Sequence, residues 1–208
     1  MKIIATRMTL VFLAAALSHT AHVAAQQPPL AELDRYNVVW TTPGANAAGS
    51  MPIGNGEVGL NVWIEEGGDL LFYVARTDAW SECNRLLKLG RVRLSFSQAI
   101  LGKDRRFRQE LVLRDGRIEI RTDDAEIGLF VDSAAPVVYV VGRCKTPTTV
   151  TARLENWRTE KRVLKGEELR SSWTMQDAPD SIEVWESPDV VDSSAAGAIA
   201  WHHRNRYS

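Results

Sequence analysis

The sequence predicts an all-β fold, an antiparallel sandwich, and three observations carry that prediction. Residues 91–96 alternate strictly, with Val92, Leu94 and Phe96 on one face and Arg91, Arg93 and Ser95 on the other. Asp115-Gly116 sits between two alternating runs, 107–113 and 117–121, the composition of a tight hairpin whose type I′ turn needs positive φ at both central residues. No long stretch of 3.6-residue periodicity interrupts about ten short strand-like runs, which by their turn signals stack as two sheets or close as a barrel.

The first 25 residues read as an export signal. Lys2 and Arg7 supply the positive end, residues 8–17 form an apolar stretch too short to span a bilayer, and Val23-Ala24-Ala25 places small residues before Gln26. The mature protein is therefore expected in the periplasm or outside the cell, without a membrane anchor. Removing 25 of 208 residues leaves 183, enough for one domain over 26–208 with a sizeable core. Taking Lys2 and Arg7 from 25 basic residues leaves 23 against 26 acidic ones, a net of −3. That balance has no single-sign field and argues against nucleic acid or an anionic membrane as partner.

After a short tail, residues 33–40 read as a first strand and 41–50 as a Gly/Ala/Asn/Pro loop. Residues 51–63, MPIGNGEVGLNVW, form an elbow running into a strand that places Val58, Leu60, Val62 and Ile64 on one face. The chain turns at Gly67, returns through 69–75 and emerges into a polar segment, 76–82. Residues 84–89 read as a helical turn. Three more strands are expected over 125–132, 137–144 and 148–157, and the nearly continuous apolar run at 137–141 calls for cover on both faces. Residues 159–168 are a charged surface excursion, and 169–175, 182–186 and 198–203 complete the strands. Six of the seven tryptophans, Trp40, Trp63, Trp157, Trp173, Trp185 and Trp201, are expected mostly in core or interface packing. Cys83 and Cys144 are read as two separate thiols, although export would permit a disulfide. The chain is expected to be part of a longer protein, because 201–208 reads as a strand entering a loop.

Three groups of residues could carry function. Asn55, between Gly54 and Gly56, either offers its amide to a sugar hydroxyl or caps its own turn. Arg76, Asp78, Trp80 and Glu82 share a face if their segment is extended. A tryptophan among charged hydrogen-bonding groups suits a sugar, which offers C–H faces and hydroxyls; the alternative is an Arg76–Asp78 ion pair with Trp80 in the core. His202, His203, Arg204 and Asn205 form a further polar cluster, in which adjacent strand histidines point to opposite faces. No metal site, phosphate loop, nucleophile elbow or dinucleotide fingerprint is present, so no cofactor is expected.

Pro52-Ile53-Gly54-Asn55-Gly56, followed by Gly59, Val62, Asp78, Ala79 and Trp80, resembles the N-terminal β-domain of bacterial secreted glycoside-hydrolase-like proteins of the α-L-fucosidase type. Arg76-Thr77-Asp78-Ala79-Trp80-Ser81-Glu82 and Trp201-His202-His203-Arg204-Asn205 are closer to an uncharacterised bacterial domain family. The resemblance implies a super-β-sandwich of the galactose-mutarotase-like kind. It also implies a downstream (α/α)6 helical barrel as partner domain, with the catalytic carboxylates in that barrel and none here. On this reading the chain is a non-catalytic domain acting on carbohydrate, with Asn55, Arg76, Asp78, Trp80, His202 and Arg204 as substrate-binding residues; a free-standing carbohydrate-binding module and a purely structural piece are the alternatives. Residues 76–80 depart from the fucosidase wording, which removes the basis for assigning fucose.

Overall fold

A computed structural model describes residues 30–102, 106–179 and 181–205. The expected export signal and the tail before residue 30 lie outside the described residues. In chain order the sandwich strands are β1 (Val38–Trp40), β2 (Met51–Gly54), β3 (Val58–Ile64), β4 (Leu70–Trp80) and β5 (Leu86–Phe96). They continue with β6 (Phe107–Val112), β7 (Arg117–Thr122), β8 (Ala125–Val131), β9 (Val138–Cys144) and β10 (Val150–Glu155). Every pairing among them is antiparallel, in two five-stranded sheets ordered β1-β6-β7-β8-β9 and β10-β5-β4-β3-β2. Each sheet keeps two edges, so the fold is a sandwich and not a closed barrel.

Strand alternation builds the core. Val58, Leu60, Val62 and Ile64 of β3 and Leu70 and Phe72 of β4 meet Ile118, Ile120, Ile127 and Leu129 of the facing sheet, all buried, with Val92, Leu94 and Phe96 packed against them. Burial of apolar surface, at about 25 cal/mol per Å², is what holds the two sheets together. Two polar cross-links run between the sheets as well. The buried Gln109 donates from Nε2 to the Val62 carbonyl at 3.2 Å, and Asn55 of the β2–β3 turn donates to carbonyls in the β8–β9 turn.

Beyond β10 the chain forms two small hairpins, β11 (Arg162–Val163) with β12 (Trp185–Glu186) and β13 (Val190–Asp192) with β14 (Ala200–His202). Between the members of the first lies the one-turn helix α1 (Gly166–Arg170). Leu164 and Val184 are buried here and share a backbone hydrogen bond of 2.8 Å.

Several local expectations are corrected. Leu30–Tyr36 is a 3-10 helix, so the first strand is only Val38–Trp40. Residues 84–89 are not helical: Leu86 pairs with Trp80, and the ladder offered by β4 overrides the helix preference of the leucines. The Asp115-Gly116 hairpin is not a two-residue turn, because Leu113–Asp115 forms a 3-10 turn and Gly116 alone, φ 59°, takes left-handed geometry. Strand β9 is covered on one face only, since it lies at a sheet edge: Val138 and Val140 pack on the core while Tyr139 and Val141 are exposed, Tyr139 stacked on Phe130. Residues 169–175 are not a strand: they hold the end of α1 and a 3-10 turn at Trp173–Met175, with acids in the first turn of α1 and Arg170 in the last, as the helix dipole favours. The excursion at 159–168 holds β11 and the buried Leu164. Only Trp63 of the tryptophans is buried, while Trp157, Trp173 and Trp185 are exposed. Cys83 and Cys144, by contrast, are two separate free thiols as expected.

Candidate functional site

The β4–β5 hairpin positions the candidate site because it outruns its neighbour. Strand β3 begins opposite Arg76, whereas β4 continues to Trp80. Pairing with β5 is regular from Leu70↔Leu94 to Val74↔Gly90, then shifts at Ala75↔Lys88 and again before Trp80↔Leu86. Such irregularities bend a strand and re-aim its side chains. The turn closes through Ser81, whose N–H donates to the Arg85 carbonyl at 2.9 Å and whose Oγ accepts the Arg85 N–H at 3.1 Å. Asn84 takes φ 53° in that turn, a left-handed geometry its short amide tolerates.

The residues singled out by sequence fall into two groups. At the end of the sandwich, Asn55 Oδ1 accepts the N–H groups of Glu57 and Val58 at 2.9 and 2.8 Å, and Nδ2 donates to the carbonyls of Asp132 and Ala135 at 2.8 and 3.1 Å. Its amide capacity is thereby filled. Arg76 lies beside this turn, opposite Val58, and bonds Glu57 at 2.5 Å and Asp78 at 3.1 Å. At the hairpin tip, Trp80 donates Nε1–H to the Thr77 carbonyl at 2.9 Å and remains 43% exposed, so it does not join the core. Asn205 donates to the Trp80 carbonyl at 3.1 Å. His202 and Arg204 are exposed, and among the described residues no hydrogen bond or ion pair ties either side chain to these groups.

The histidine that is engaged is His203. Its Nδ1 lies 2.8 Å from Asp189 Oδ1, and its Nε2 lies 3.4 Å from Glu82 Oε2. Asp189 in turn receives Arg158 through Nε and Nη2 at 2.8 and 2.7 Å, and Arg158 also donates to the carbonyls of Lys88 and Leu89. The side chains of Arg158 and Asp189 are almost wholly buried. The hydrogen bond to Asp189 raises the His203 pKa against the opposing pull of burial, with Glu82 assisting. Burial pushes the Asp189 carboxyl up, but hydrogen bonds from His203 and Arg158 outweigh it and hold the group below its ordinary value. A second ionic group joins the buried Glu186 to Arg85 and Arg162, and Glu168 to the same two arginines. Burial pulls Arg85 down from the usual guanidinium range.

Between these ionic groups a cleft of about 340 Å³ opens on the outer side of β5. Tyr73 and Trp157 meet edge to face, centroids 5.8 Å apart, with Lys88, Arg85, Arg158, Glu168 and Ser171 around them. Trp157 is 41% exposed, and the Lys88 ammonium sits 4.5 Å from the centre of the Tyr73 ring. Sequence reading missed this cleft because its walls come from distant segments, although Asn156-Trp157-Arg158 at the end of an expected strand was the available signal. Among the described residues no group of three His, Cys, Asp or Glu side chains is placed to hold a metal ion.

No curated protein matches the chain. A family described as a domain of unknown function, DUF5703, matches residues 39–208 in its N-terminal domain. That span takes in every sandwich strand from Val39 onward, the β4–β5 hairpin and the ionic groups that flank the cleft, and the chain belongs to the DUF5703 N-terminal domain family.

Proposed function

We propose that this domain is the non-catalytic sandwich of an exported carbohydrate-acting protein of the glycoside-hydrolase-like kind, and that it binds sugar in the cleft of Tyr73 and Trp157. The cleft carries the proposal: a half-exposed tryptophan and a tyrosine lie beside several hydrogen-bonding side chains, the pairing of apolar face and polar rim that sugar recognition needs. Trp80 at the hairpin tip, with Arg76 and Asp78 on the same strand, serves as a second, more exposed contact. Asn55 ties the two sheets together at the end of the sandwich.

Glycoside hydrolysis needs a general acid and a second carboxylate placed across the scissile bond. On this reading the reacting pair belongs to a partner domain, for which the helical barrel implied by the sequence resemblance is the proposed candidate.

Calorimetric titration of the folded chain with a panel of oligosaccharides tests the reading. Binding is expected with at least one of them, and Trp157→Ala is expected to weaken it by at least about tenfold, the worth of one stacked aromatic face. Hydrolysis of aryl glycosides by this chain, abolished by a carboxylate substitution such as Glu82→Gln, would overturn the non-catalytic assignment. A panel with no binder at millimolar concentration removes the carbohydrate reading.

A further inference from the structure

The polar groups around the cleft are unequal. Three cations, Arg85, Lys88 and Arg158, line it against a single carboxylate, Glu168. Both Glu168 oxygens are taken, by Arg162 Nη1 at 2.6 Å and Arg162 Nη2 at 2.7 Å, with Arg85 Nη1 at 3.4 Å. Arg158 uses Nε, Nη1 and Nη2 on Asp189 and two backbone carbonyls. Ser171 donates its hydroxyl to the Glu168 carbonyl.

One accessible donor is left over. Lys88 is exposed and forms no ion pair among the described residues; its only close partner there is the Tyr73 ring, which steadies an ammonium without neutralising it. Arg85 Nε also lacks an acceptor, but it is buried and so is not offered to a ligand. A sugar hydroxyl both donates and accepts, so a neutral sugar is best read by a mixture of acids and donors. Here the one side-chain acid is engaged and the free donor is the Lys88 ammonium, which favours a group that only accepts.

We infer that the cleft takes an acidic sugar, a residue carrying carboxylate or sulfate, with its C–H face on Trp157 and Tyr73 and its anionic group at Lys88. The inference rests on the carbohydrate reading above and narrows it to a ligand class. Lys88 is thereby a specificity residue: it separates charged from neutral sugars, while the aromatic pair contributes to both.

The test is calorimetric titration of the chain at low salt with three oligosaccharides of equal length: neutral, uronate and sulfated. At least one acidic form is expected to bind about tenfold more tightly than the neutral one, in line with a charge-assisted contact. Lys88→Met is expected to bring that acidic ligand down to the neutral level without weakening the neutral ligand, and as an exposed substitution it leaves the fold intact. Arg143→Gln, a matched charge loss on the other sheet, is expected to leave the preference unchanged. A preference for the uronate alone assigns a carboxylate, and one for the sulfated form alone assigns a sulfate. Equal binding of all three overturns the inference and leaves the carbohydrate reading standing, whereas no binding of any overturns both. If Arg143→Gln costs as much as Lys88→Met, diffuse polyanion attraction accounts for the preference and the assignment to the cleft falls.

Discussion

His203 Nδ1 stands 2.8 Å from Asp189 Oδ1, and the same imidazole faces Glu82 at 3.4 Å, so one side chain ties the end of the described chain to the β4–β5 turn. Arg158 completes the tie by bonding Asp189 and the carbonyls of Lys88 and Leu89 on β5. The segment that frames the cleft is therefore attached through charges, and its attachment depends on pH.

The direction follows from the two displaced groups. The His203 pKa is raised in the fold, so its contribution is fully present below the unfolded value of about 6.5 and is lost as pH rises through the folded value. The Asp189 pKa is lowered, so its contribution is present above about 3.9 and is lost as pH falls through the folded value. The attachment is strongest between roughly pH 4 and 6.5 and weakens toward alkaline pH. In thermal melts from pH 5 to 9, wild type is expected to lose stability relative to His203→Gln as pH rises, and the fluorescence of Trp201, which bonds the Leu89 carbonyl, reports the same change. Parallel melting curves across that range would show that His203 does not titrate in the fold.

Asn55 makes a second, independent prediction. Its side chain accepts two backbone N–H groups and donates to two carbonyls across the sandwich. Asn55→Ala is expected to cost about 2–4 kcal/mol in urea denaturation, since several partly buried hydrogen bonds go together. Asn55→Asp keeps the acceptors but sets a carboxylate against the carbonyls of Asp132 and Ala135. It is expected to be at least as destabilising as alanine at pH 7 and to recover partly near pH 4, where the protonated form can donate. An aspartate variant as stable as wild type at pH 7 would remove the two carbonyl contacts from the account.

How much of this was legible in the sequence depends on the range of the interaction. Period-two alternation located β3, β5, β6, β7 and β8, because one face of each meets the core and the other meets water. The same signal failed at Leu86-Leu87, where helix-favouring leucines form a strand because β4 lies alongside. It failed again at Val137–Val141, where a continuous apolar run marks a sheet edge with one open face. The capping role of Asn55 was visible between two glycines, but its bonds to Asp132 and Ala135 cross nearly eighty residues and left no local trace. Arg158 and Glu186 were missed for a related reason: a charged residue reads as exposed until its partner is known, and both are buried only because they are paired. Trp80 and the Arg76–Asp78 pair were legible as an extended polar segment, whereas the cleft of Tyr73 and Trp157 assembles from strands and loops too far apart for spacing to show.

Gly54 and Gly90 give the last prediction, because both sit in strands of the same sheet and differ in what a methyl group would meet. A β-carbon on Gly54 would lie 2.6 Å from the Val58 carbonyl oxygen and 3.2 Å from the Gly59 Cα, both backbone atoms of the strand it pairs with. Neither can move without disturbing the turn that Asn55 caps. A β-carbon on Gly90 would lie 2.9 Å from Leu154 Cδ1, the far end of a side chain that can rotate away. Gly54→Ala is therefore expected to cost about 2–3 kcal/mol, within the usual range for overpacking. Gly90→Ala is expected to fall within about 1 kcal/mol of wild type, since relief of a tight contact is offset by the smaller backbone entropy of the unfolded alanine chain. Equilibrium urea denaturation of the two variants measures the difference directly. The reverse order would mean that the β2–β3 turn yields more readily than Leu154 does, and the Asn55 cap would then lose its standing as the rigid support of this end of the sandwich.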